Sequence, residues 1–237
     1  DDNFSVLVAP FSVVEIWGAV RDSDGNKAPG PDGFNLLCFQ QCWNVFKGDI
    51  LKFFKEFHSN GCLAKGVNSS FITLIPKKEN PGGIVDYRPI SLIGSLYKIL
   101  SKVLAIRLKK VLSQIIGEAQ YAFIGGRNIL DGVLISNEII DWWKKRKKKG
   151  IILKLDFEKA YDTVNWGCLL DLMSKFGFQD KWTRWMKECL STTRVSILVN
   201  GSPIDEFKPG KGLRQGDPLS PFLFNIVAEG LNMLMIR

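Results

Sequence analysis

One apolar run that ends in an acidic residue constrains the fold more than any other feature of this chain. Residues 151–155 are almost continuously apolar, and Asp156 follows them directly. A short apolar run of this kind predicts a strand buried in a sheet. An unpaired carboxylate at the end of a buried strand is costly unless a metal neutralises it. The pattern therefore indicates a metal ligand at Asp156, and the alternative is a cap for the helix that follows.

Periodic segments on both sides of this run predict a mixture of helices and strands. Prolines and glycines in residues 27–33 predict a rigid loop, and Asn200-Gly201 is the two-residue turn signal of a hairpin. Helices and strands that alternate irregularly favour an α+β fold over a doubly wound sheet. The predicted helices are 11–20 (capped by Ser12, with Glu15 completing a capping box), 34–57, 95–112, 131–149, 168–176, 181–190 and one that starts near Asp217; the predicted strands are 71–75, 151–155, 194–199 and 204–207.

Charge and hydropathy restrict the possible partners and compartments. The net charge is +8, and the run Lys144–Lys149 supplies six of these positive charges. Such a run is either a solvated helix end or a contact with phosphate backbones, and both interpretations stay open. No apolar stretch approaches the ~20 residues of a membrane helix, and the first residues lack the pattern of a signal peptide. We expect no membrane association and an intracellular protein, in the nucleus, the cytoplasm or both.

The cysteines and the single histidine allow one alternative that has to be weighed. Cys38, Cys42, His58 and Cys62 have the residue types and spacing of a zinc site. Against zinc, both Cys38 and Cys42 recur at helical intervals with apolar neighbours, which favours packing on an apolar helix face. A hydrolase with a serine or cysteine nucleophile is disfavoured, because His58 has no nucleophile signature beside it.

Two strings carry a family resemblance. The first is Asp156-Phe-Glu-Lys-Ala-Tyr161-Asp, and the second is the nine-residue stretch Leu213-Arg-Gln-Gly-Asp-Pro-Leu-Ser-Pro221. Together with residues 27–35, 73–78 and 86–92 they resemble the reverse transcriptases of non-LTR (LINE-type) retrotransposons, and they match these better than the related enzymes of group II introns. The resemblance implies the right-hand fold of polymerases. We expect an N-terminal extension and helix-rich fingers in residues 1–150, with the fingers core at about 65–150, and a partial palm with an incomplete antiparallel sheet in residues 151–237.

The implied activity is RNA-directed DNA polymerisation, which adds deoxynucleotides to a primer 3′ end by two-metal phosphoryl transfer. Asp156 and the carbonyl of Phe157 are the expected Mg²⁺ ligands, with two ions in the complete enzyme. The resemblance places the ring of Tyr161 beneath the nucleotide sugar, where it would collide with a 2′-hydroxyl. It also places Gln215 and Gly216 against the incoming nucleotide.

Further basic and polar residues match the family segments that face phosphates and nucleic acid. Lys77, on a turn, is expected to bind the triphosphate, and Arg88 to reach the triphosphate or the template backbone. The alternative for Arg88 is a surface ion pair with Asp86. The residues expected near the template and primer are Gln120, Arg127 and Arg214. The expected partners are an RNA template, a DNA primer and deoxynucleotide triphosphates, and the oligomeric state is not indicated.

The family continues with a strand-turn-strand that carries paired aspartates, and this string does not occur before Arg237. We therefore interpret the chain as a truncated enzyme whose second metal site is incomplete, and we expect it to be inactive alone. The competing hypothesis is a non-catalytic remnant of a retroelement that binds nucleic acid through a basic groove.

Overall fold

A computed structural model describes residues 4–147, 149–152 and 154–235 of the chain. It confirms a mixed α+β architecture in which helices surround one four-stranded sheet. The helices are α1 (Ser5–Val8), α2 (Val13–Arg21), α3 (Leu36–Gln41), α4 (Trp43–Asn60), α5 (Ser95–Ile115), α6 (Ile129–Lys145), α7 (Trp166–Lys175), α8 (Asp180–Ser191) and α9 (Ser220–Met235); the strands are β1 (Ser69–Pro76), β2 (Tyr87–Ile93), β3 (Arg194–Val199) and β4 (Ser202–Pro203).

The sheet has the order β2-β1-β3-β4 and is not purely antiparallel, which corrects the prediction of an antiparallel sheet. β1 pairs antiparallel with β2 but parallel with β3, so that Ser69 lies opposite Arg194. The parallel pairing arises because helices α5 to α8 lie between β1 and β3 in the chain and return it to the same end of the sheet. One sheet thus joins strands from both halves of the sequence.

The hairpin predicted at Asn200-Gly201 is present. Both turn residues have positive φ angles, 51° and 80°, as a type I′ turn requires. The return strand is shorter than predicted, because β4 covers only Ser202–Pro203 and contact resumes at an isolated bridge between Val195 and Phe207.

Helix α5 is the structural axis of the core. It packs against α1, α2 and α9, and most of its side chains are buried. Arg107 is buried within this helix and anchors the N-terminal segment: its guanidinium donates to both carboxylate oxygens of Glu15 at 2.7 Å, to the carbonyl of Ala9 at 2.6 Å, and lies 4.1 Å from the ring centre of Phe11. Ser12 caps α2 as predicted by accepting from the amide of Glu15, whereas the Glu15 side chain pairs with Arg107 instead of completing the capping box.

The loop of residues 27–33 is held against the start of α5. A Cβ added to Gly30 would lie 2.4 Å from the backbone nitrogen of Gly94, so only glycine fits this approach. Asp32 accepts the amide hydrogen of Ser95 at 2.5 Å, and Ser95 donates from its hydroxyl to the carbonyl of Phe34 at 2.6 Å. The prediction of a rigid loop is therefore confirmed.

Two predicted helices differ from the structure, and one strand of the structure was not predicted. The predicted helix 34–57 is two helices that break at Cys42, and Cys42 is exposed, so the expected apolar face at Cys38 and Cys42 is wrong for Cys42; Leu36 and Phe39 are the buried residues of α3. Helix α9 begins at Ser220, three residues after Asp217, whose carboxylate accepts from the amide of Leu219 at 3.0 Å and pairs with Arg214. Strand β2 was not predicted, because residues 86–92 were singled out only through the family resemblance.

The predicted strand 151–155 is absent among its described residues, which have no regular structure; Leu153 lies outside the described part. Ile151 is 91% exposed and Leu155 is 50% exposed, so the prediction of burial is wrong. A strand needs a hydrogen-bonded neighbour, and none of the four strands of the described sheet pairs with this segment. None of the helices in the described residues is long and apolar enough to span a bilayer.

Candidate active site

Two backbone hydrogen bonds bring the two sequence strings together. The amide of Leu213 donates to the carbonyl of Tyr161 at 2.9 Å, and the amide of Gly212 donates to the carbonyl of Val164 at 2.8 Å. Gly212 has a φ of +91°, and a Cβ there would lie 2.9 Å from the carbonyl oxygen of Asp162. The close approach of the two segments therefore depends on glycine at this position.

The loop at Gln215 and Gly216 packs on the outer edge of the sheet. The amide of Ser91 in β2 donates to the carbonyl of Gln215 at 2.7 Å. Gly216 has a φ of +110°, a conformation that side-chain-bearing residues rarely adopt, and a Cβ there would meet the carbonyl oxygen of Ser91 at 3.0 Å. In this structure the close backbone approach at Gly216 is to Ser91 of β2, and the predicted approach to the incoming nucleotide stays a prediction.

A buried ion pair joins the residues on either side of that loop, Arg214 and Asp217. Arg214 donates to a carboxylate oxygen of Asp217 at 2.9 Å, and their side chains are only 10% and 6% exposed. The guanidinium also stacks 4.4 Å from the ring centre of Tyr97, and the other carboxylate oxygen of Asp217 accepts from the hydroxyl of Ser101 on α5. The loop is thereby attached to the core helix at both of its ends.

The loop and Tyr161 line a common cleft of about 600 Å³. Tyr161 is half-buried, and burial raises the pKa of its phenol, so the hydroxyl stays protonated at neutral pH. Its ring contacts Phe224 of α9 with the ring centres 5.2 Å apart. The other walls of the cleft include Ile90 and Leu92 of β2, and the lysines Lys27, Lys98 and Lys102.

Asp156 and Phe157 lie in a neighbouring groove of about 330 Å³ that runs along α9. The ring of Phe157 lies 6.4 Å from that of Phe224, which also contacts Tyr161, so Phe224 connects the groove with the cleft. Asp156 is exposed and does not cap a helix, since α7, the next helix, is capped by Asn165. Among the described residues its carboxylate has no ion-pair partner and remains accessible to a ligand.

The donor set around Asp156 only partly fits Mg²⁺. A carboxylate and a carbonyl are hard oxygen ligands of the kind that Mg²⁺ prefers. However, the described residues contain no group of three or more aspartate, glutamate, histidine or cysteine side chains close enough to hold a metal. The zinc alternative at Cys38, Cys42, His58 and Cys62 gains no support either, because His58 Nε2 lies 3.0 Å from the carbonyl of Val8.

Lys77 directly follows β1 and Arg88 lies in β2, both at the end of the β1–β2 hairpin where the connecting loop joins the two strands. The Lys77 ammonium donates to the carbonyl of Val85 at 2.8 Å, so it is held at the tip. Arg88 is exposed opposite Ile75. Side chains alternate along a strand, so Arg88 shares the face of Ile90 and Leu92 that lines the cleft. The alternative ion pair of Arg88 with Asp86 is not formed, because Asp86 pairs with Lys78 at 2.9 Å.

Gln120 and Arg127 are engaged in local structure. The Arg127 guanidinium donates to the carbonyls of Ile116, Gly117 and Gln120 at 2.5 to 3.1 Å, which closes the loop after α5. The Gln120 amide donates to Asn225 of α9 at 3.3 Å. Their predicted contact with the template, like that of Arg214, stays a prediction.

The structure adds residues to the site that the sequence interpretation did not assign to it. Lys27, Lys98 and Lys102 line the cleft although they come from a loop and a helix far apart in sequence from Tyr161. Lys98 and Lys102 fall within the predicted helix 95–112, and the sequence interpretation gave them no role. Their i, i+4 spacing, which puts two like charges on one helix face, was the available signal.

The family profile described as "Reverse transcriptase (RNA-dependent DNA polymerase)" matches residues 75–235. The chain belongs to the reverse transcriptase family.

Within this reverse transcriptase family it resembles proteins of non-LTR retrotransposons. It is 30% identical over 223 residues to "Transposon TX1 uncharacterized 149 kDa protein" of Xenopus laevis, covering 94% of this chain and 17% of the relative. It is 32% identical over 231 residues to the "Retrovirus-related Pol polyprotein from type-1 retrotransposable element R2" of Popillia japonica, covering 94% and 30%. It is 25% identical over 230 residues to the "Probable RNA-directed DNA polymerase from transposon X-element" of Drosophila melanogaster, covering 94% and 25%. The chain thus spans less than a third of the length of each of these relatives.

Proposed function

We propose that this domain takes part in RNA-directed DNA synthesis of a LINE-type retroelement, by adding deoxynucleotides to a DNA primer on an RNA template. The observation that carries the proposal is the pairing of Leu213 with Tyr161, which puts Tyr161 and the Gln215-Gly216 loop in one cleft. An aromatic ring and a backbone loop on one wall can hold a nucleotide from its sugar and its base. Membership of the reverse transcriptase family supports the choice of substrate.

In this proposal Tyr161 selects deoxynucleotides by steric exclusion of the 2′-hydroxyl. Phe224 packs on Tyr161 and limits the movement of its ring. The Gln215 side chain hydrogen-bonds near the sugar, and Gly216 lets the backbone approach the nucleotide. Lys77 and Arg88 bind the triphosphate from the hairpin tip.

Asp156 and the carbonyl of Phe157 are the proposed ligands for Mg²⁺. When bound, two such ions supply charge stabilisation for the attacking and leaving oxygens of the phosphoryl transfer. The exposure of Asp156 leaves its carboxylate available for this role. We propose that Gln120, Arg127 and Arg214 lie on the template and primer side and act mainly by holding the loops that face the nucleic acid, since their side chains already bond to the protein.

We also propose that residues 1–150 form the extension and fingers, that residues 151–237 form part of the palm, and that the protein acts inside the cell, in the nucleus, the cytoplasm or both. In this proposal the fingers and the palm share one sheet, because β1 of the first part pairs with β3 of the second.

Primer extension on an RNA template tests the metal role. The assay uses the domain as the 237-residue chain and in a longer form continued at its carboxyl end. We expect product only from the longer form. Asp156→Asn should reduce its rate at least about a hundredfold, because metal charge stabilisation contributes several kcal/mol. Glu158→Gln removes a neighbouring carboxylate and should leave the rate nearly unchanged. Equal losses in both variants would refute the assignment.

Competition between deoxynucleotides and ribonucleotides tests the role of Tyr161. Tyr161→Val opens the space beneath the sugar, and we expect ribonucleotide incorporation to rise at least about tenfold, equivalent to about 1.4 kcal/mol of discrimination. Phe224→Leu removes a contact with the ring but keeps Tyr161, and should change discrimination less. Unchanged discrimination in Tyr161→Val would contradict steric exclusion.

A second candidate is a non-catalytic nucleic-acid-binding remnant. It is favoured by one observation, the lack of a three-ligand acidic cluster around Asp156 in the described residues. It predicts salt-dependent RNA binding in every form of the protein without any primer extension.

A further inference from the structure

Three lysines converge on the cleft from two separate elements. Lys98 and Lys102 stand one turn apart on α5, and Lys27 comes from the loop of residues 27–33. That loop is pinned to the start of α5 by Asp32 and Ser95, as described above, so the position of Lys27 beside α5 is built into the fold. The cleft measures about 600 Å³, enough for several sugar-phosphate units.

Within the described part of the chain none of these lysines forms a direct ion pair, although the charges of Asp24 and Asp32 act on Lys98 and that of Asp22 on Lys102. Most of the acidic side chains nearby have other partners. Asp22 pairs with Arg21, and Asp217 pairs with Arg214. Asp32 accepts from the backbone amides of Phe34 and Ser95. Asp24 is the remaining acidic residue among the described residues that line the cleft, and its carboxylate accepts a hydrogen bond from the backbone amide of Asn26. The cleft wall therefore carries a net positive charge.

Holding these cations together is unfavourable in the free protein. Half-burial and then the charge of Lys27 lower the pKa of Lys98, and like charges at i, i+4 destabilise a helix. A bound anion would relieve both effects, because an opposite charge favours the ammonium form. The arrangement is thus better explained by an anionic ligand than by packing.

We infer that Lys27, Lys98 and Lys102 form a phosphate-binding site for the sugar-phosphate backbone of a nucleic-acid strand that passes Tyr161 and Gln215. The inference deepens the proposed function by naming the residues that hold a strand. A polynucleotide explains the volume of the cleft and the spread of the lysines over two elements better than a single nucleotide does. The triphosphate tail of a nucleotide offers the same chemistry, and the experiment separates the two.

Fluorescence anisotropy of the 237-residue chain with a labelled RNA of roughly 16 nucleotides, in EDTA and over a series of salt concentrations, measures the site without requiring catalysis. The test variant is Lys98→Gln/Lys102→Gln, and the matched control is Lys109→Gln/Lys110→Gln, which removes two exposed charges from the same helix. Loss of two single-strand phosphate contacts should reduce the slope of log affinity against log salt by about 1.4 in the test variant. The control should keep the wild-type slope.

Three further measurements complete the design. An abasic strand should show the same loss in the test variant, because the site binds the backbone. Lys98→Arg/Lys102→Arg should restore the slope. Lys27→Gln, on an exposed loop, tests the site independently if the helix variant fails to fold. Equal losses in the test and control variants, or a loss of deoxynucleotide binding with RNA binding intact, would overturn the inference. RNA binding can be measured even if the protein has no polymerase activity. A failure of the proposed function in the primer-extension assay is therefore distinguishable from a failure of this inference in the binding assay.

Discussion

Replacement of Asp217 by asparagine tests how the Gln215-Gly216 loop is held. The substitution keeps the size of the side chain but removes the charge that faces Arg214. Arg214 would then be a buried guanidinium without a counter-ion, stacked on Tyr97. The bond from Ser101 would also weaken, because its acceptor would no longer be charged.

The expected cost follows from the burial of the pair. Both side chains are at most 10% exposed, and removing one partner of a buried pair costs about 3–5 kcal/mol. That is a large part of the ~5–15 kcal/mol by which a domain is stable. With a urea dependence of about 3 kcal/mol per M for a chain of this size, the unfolding midpoint should fall by roughly 1 to 1.7 M.

Urea unfolding followed by tryptophan fluorescence measures this shift, since Trp182 and Trp185 are buried and report on the core. Asp141→Asn, an exposed carboxylate on α6, should stay within about 0.5 kcal/mol of the wild type. An apolar replacement of the pair, Arg214→Met with Asp217→Leu, should cost less than Asp217→Asn alone, because no buried charge remains. A midpoint shift below about 0.3 M for Asp217→Asn, less than ~1 kcal/mol, would refute the reasoning.

Gly216→Ala should destabilise the protein by about 1–3 kcal/mol in the same urea assay, because alanine is strained at a φ of +110° and its Cβ would press on Ser91; wild-type stability would contradict this. Arg107→Met should lower the melting temperature through a loss of about 3–5 kcal/mol, since it leaves the partly buried Glu15 unpaired, and an unchanged melting curve would show that this pair is dispensable. Burial raises the pKa of the Cys189 thiol to about 12, against an ordinary value of 9.0. Thiol reagents at pH 8 should modify Cys189 only on unfolding, whereas the exposed Cys42, Cys62 and Cys168 should react in the native protein. The stability that burial of the Cys189 thiol contributes should be lost from pH 9 upward as the unfolded thiol ionises; rapid labelling of Cys189 itself in the native protein, located by peptide mapping, would be the contrary result.

Features that depend on neighbouring residues could be predicted from the sequence. The turn at Asn200-Gly201, the cap at Ser12 and the rigid loop of residues 27–33 all follow from local backbone preferences. The strings at Asp156 and Leu213 identified the family for the same reason, since their residues lie close together in the chain.

Features that depend on contacts between residues far apart in the sequence could not be predicted from the sequence. Strand β2 was not predicted, and it forms as an edge strand that contains Pro89 and whose outer side is bonded by the Gln215 loop. The apolar run before Asp156 predicted burial, and it is exposed because no described strand pairs with it. Arg214 was expected near the template and primer, and in the structure its side chain is buried between Tyr97 and Asp217.

The sequence by itself determined the family and the mixed α+β class, and it indicated candidate residues for the chemistry, because motifs and turn signals are short-range properties of the chain. Only the tertiary structure decided which of these residues lie close together in the folded protein. Tyr161 joins Gln215 through a hydrogen bond to Leu213, and Lys27 joins Lys98 through a loop anchored on α5. Such contacts form between segments that are far apart in the sequence, and they depend on how the sheet and α5 bury their apolar faces together.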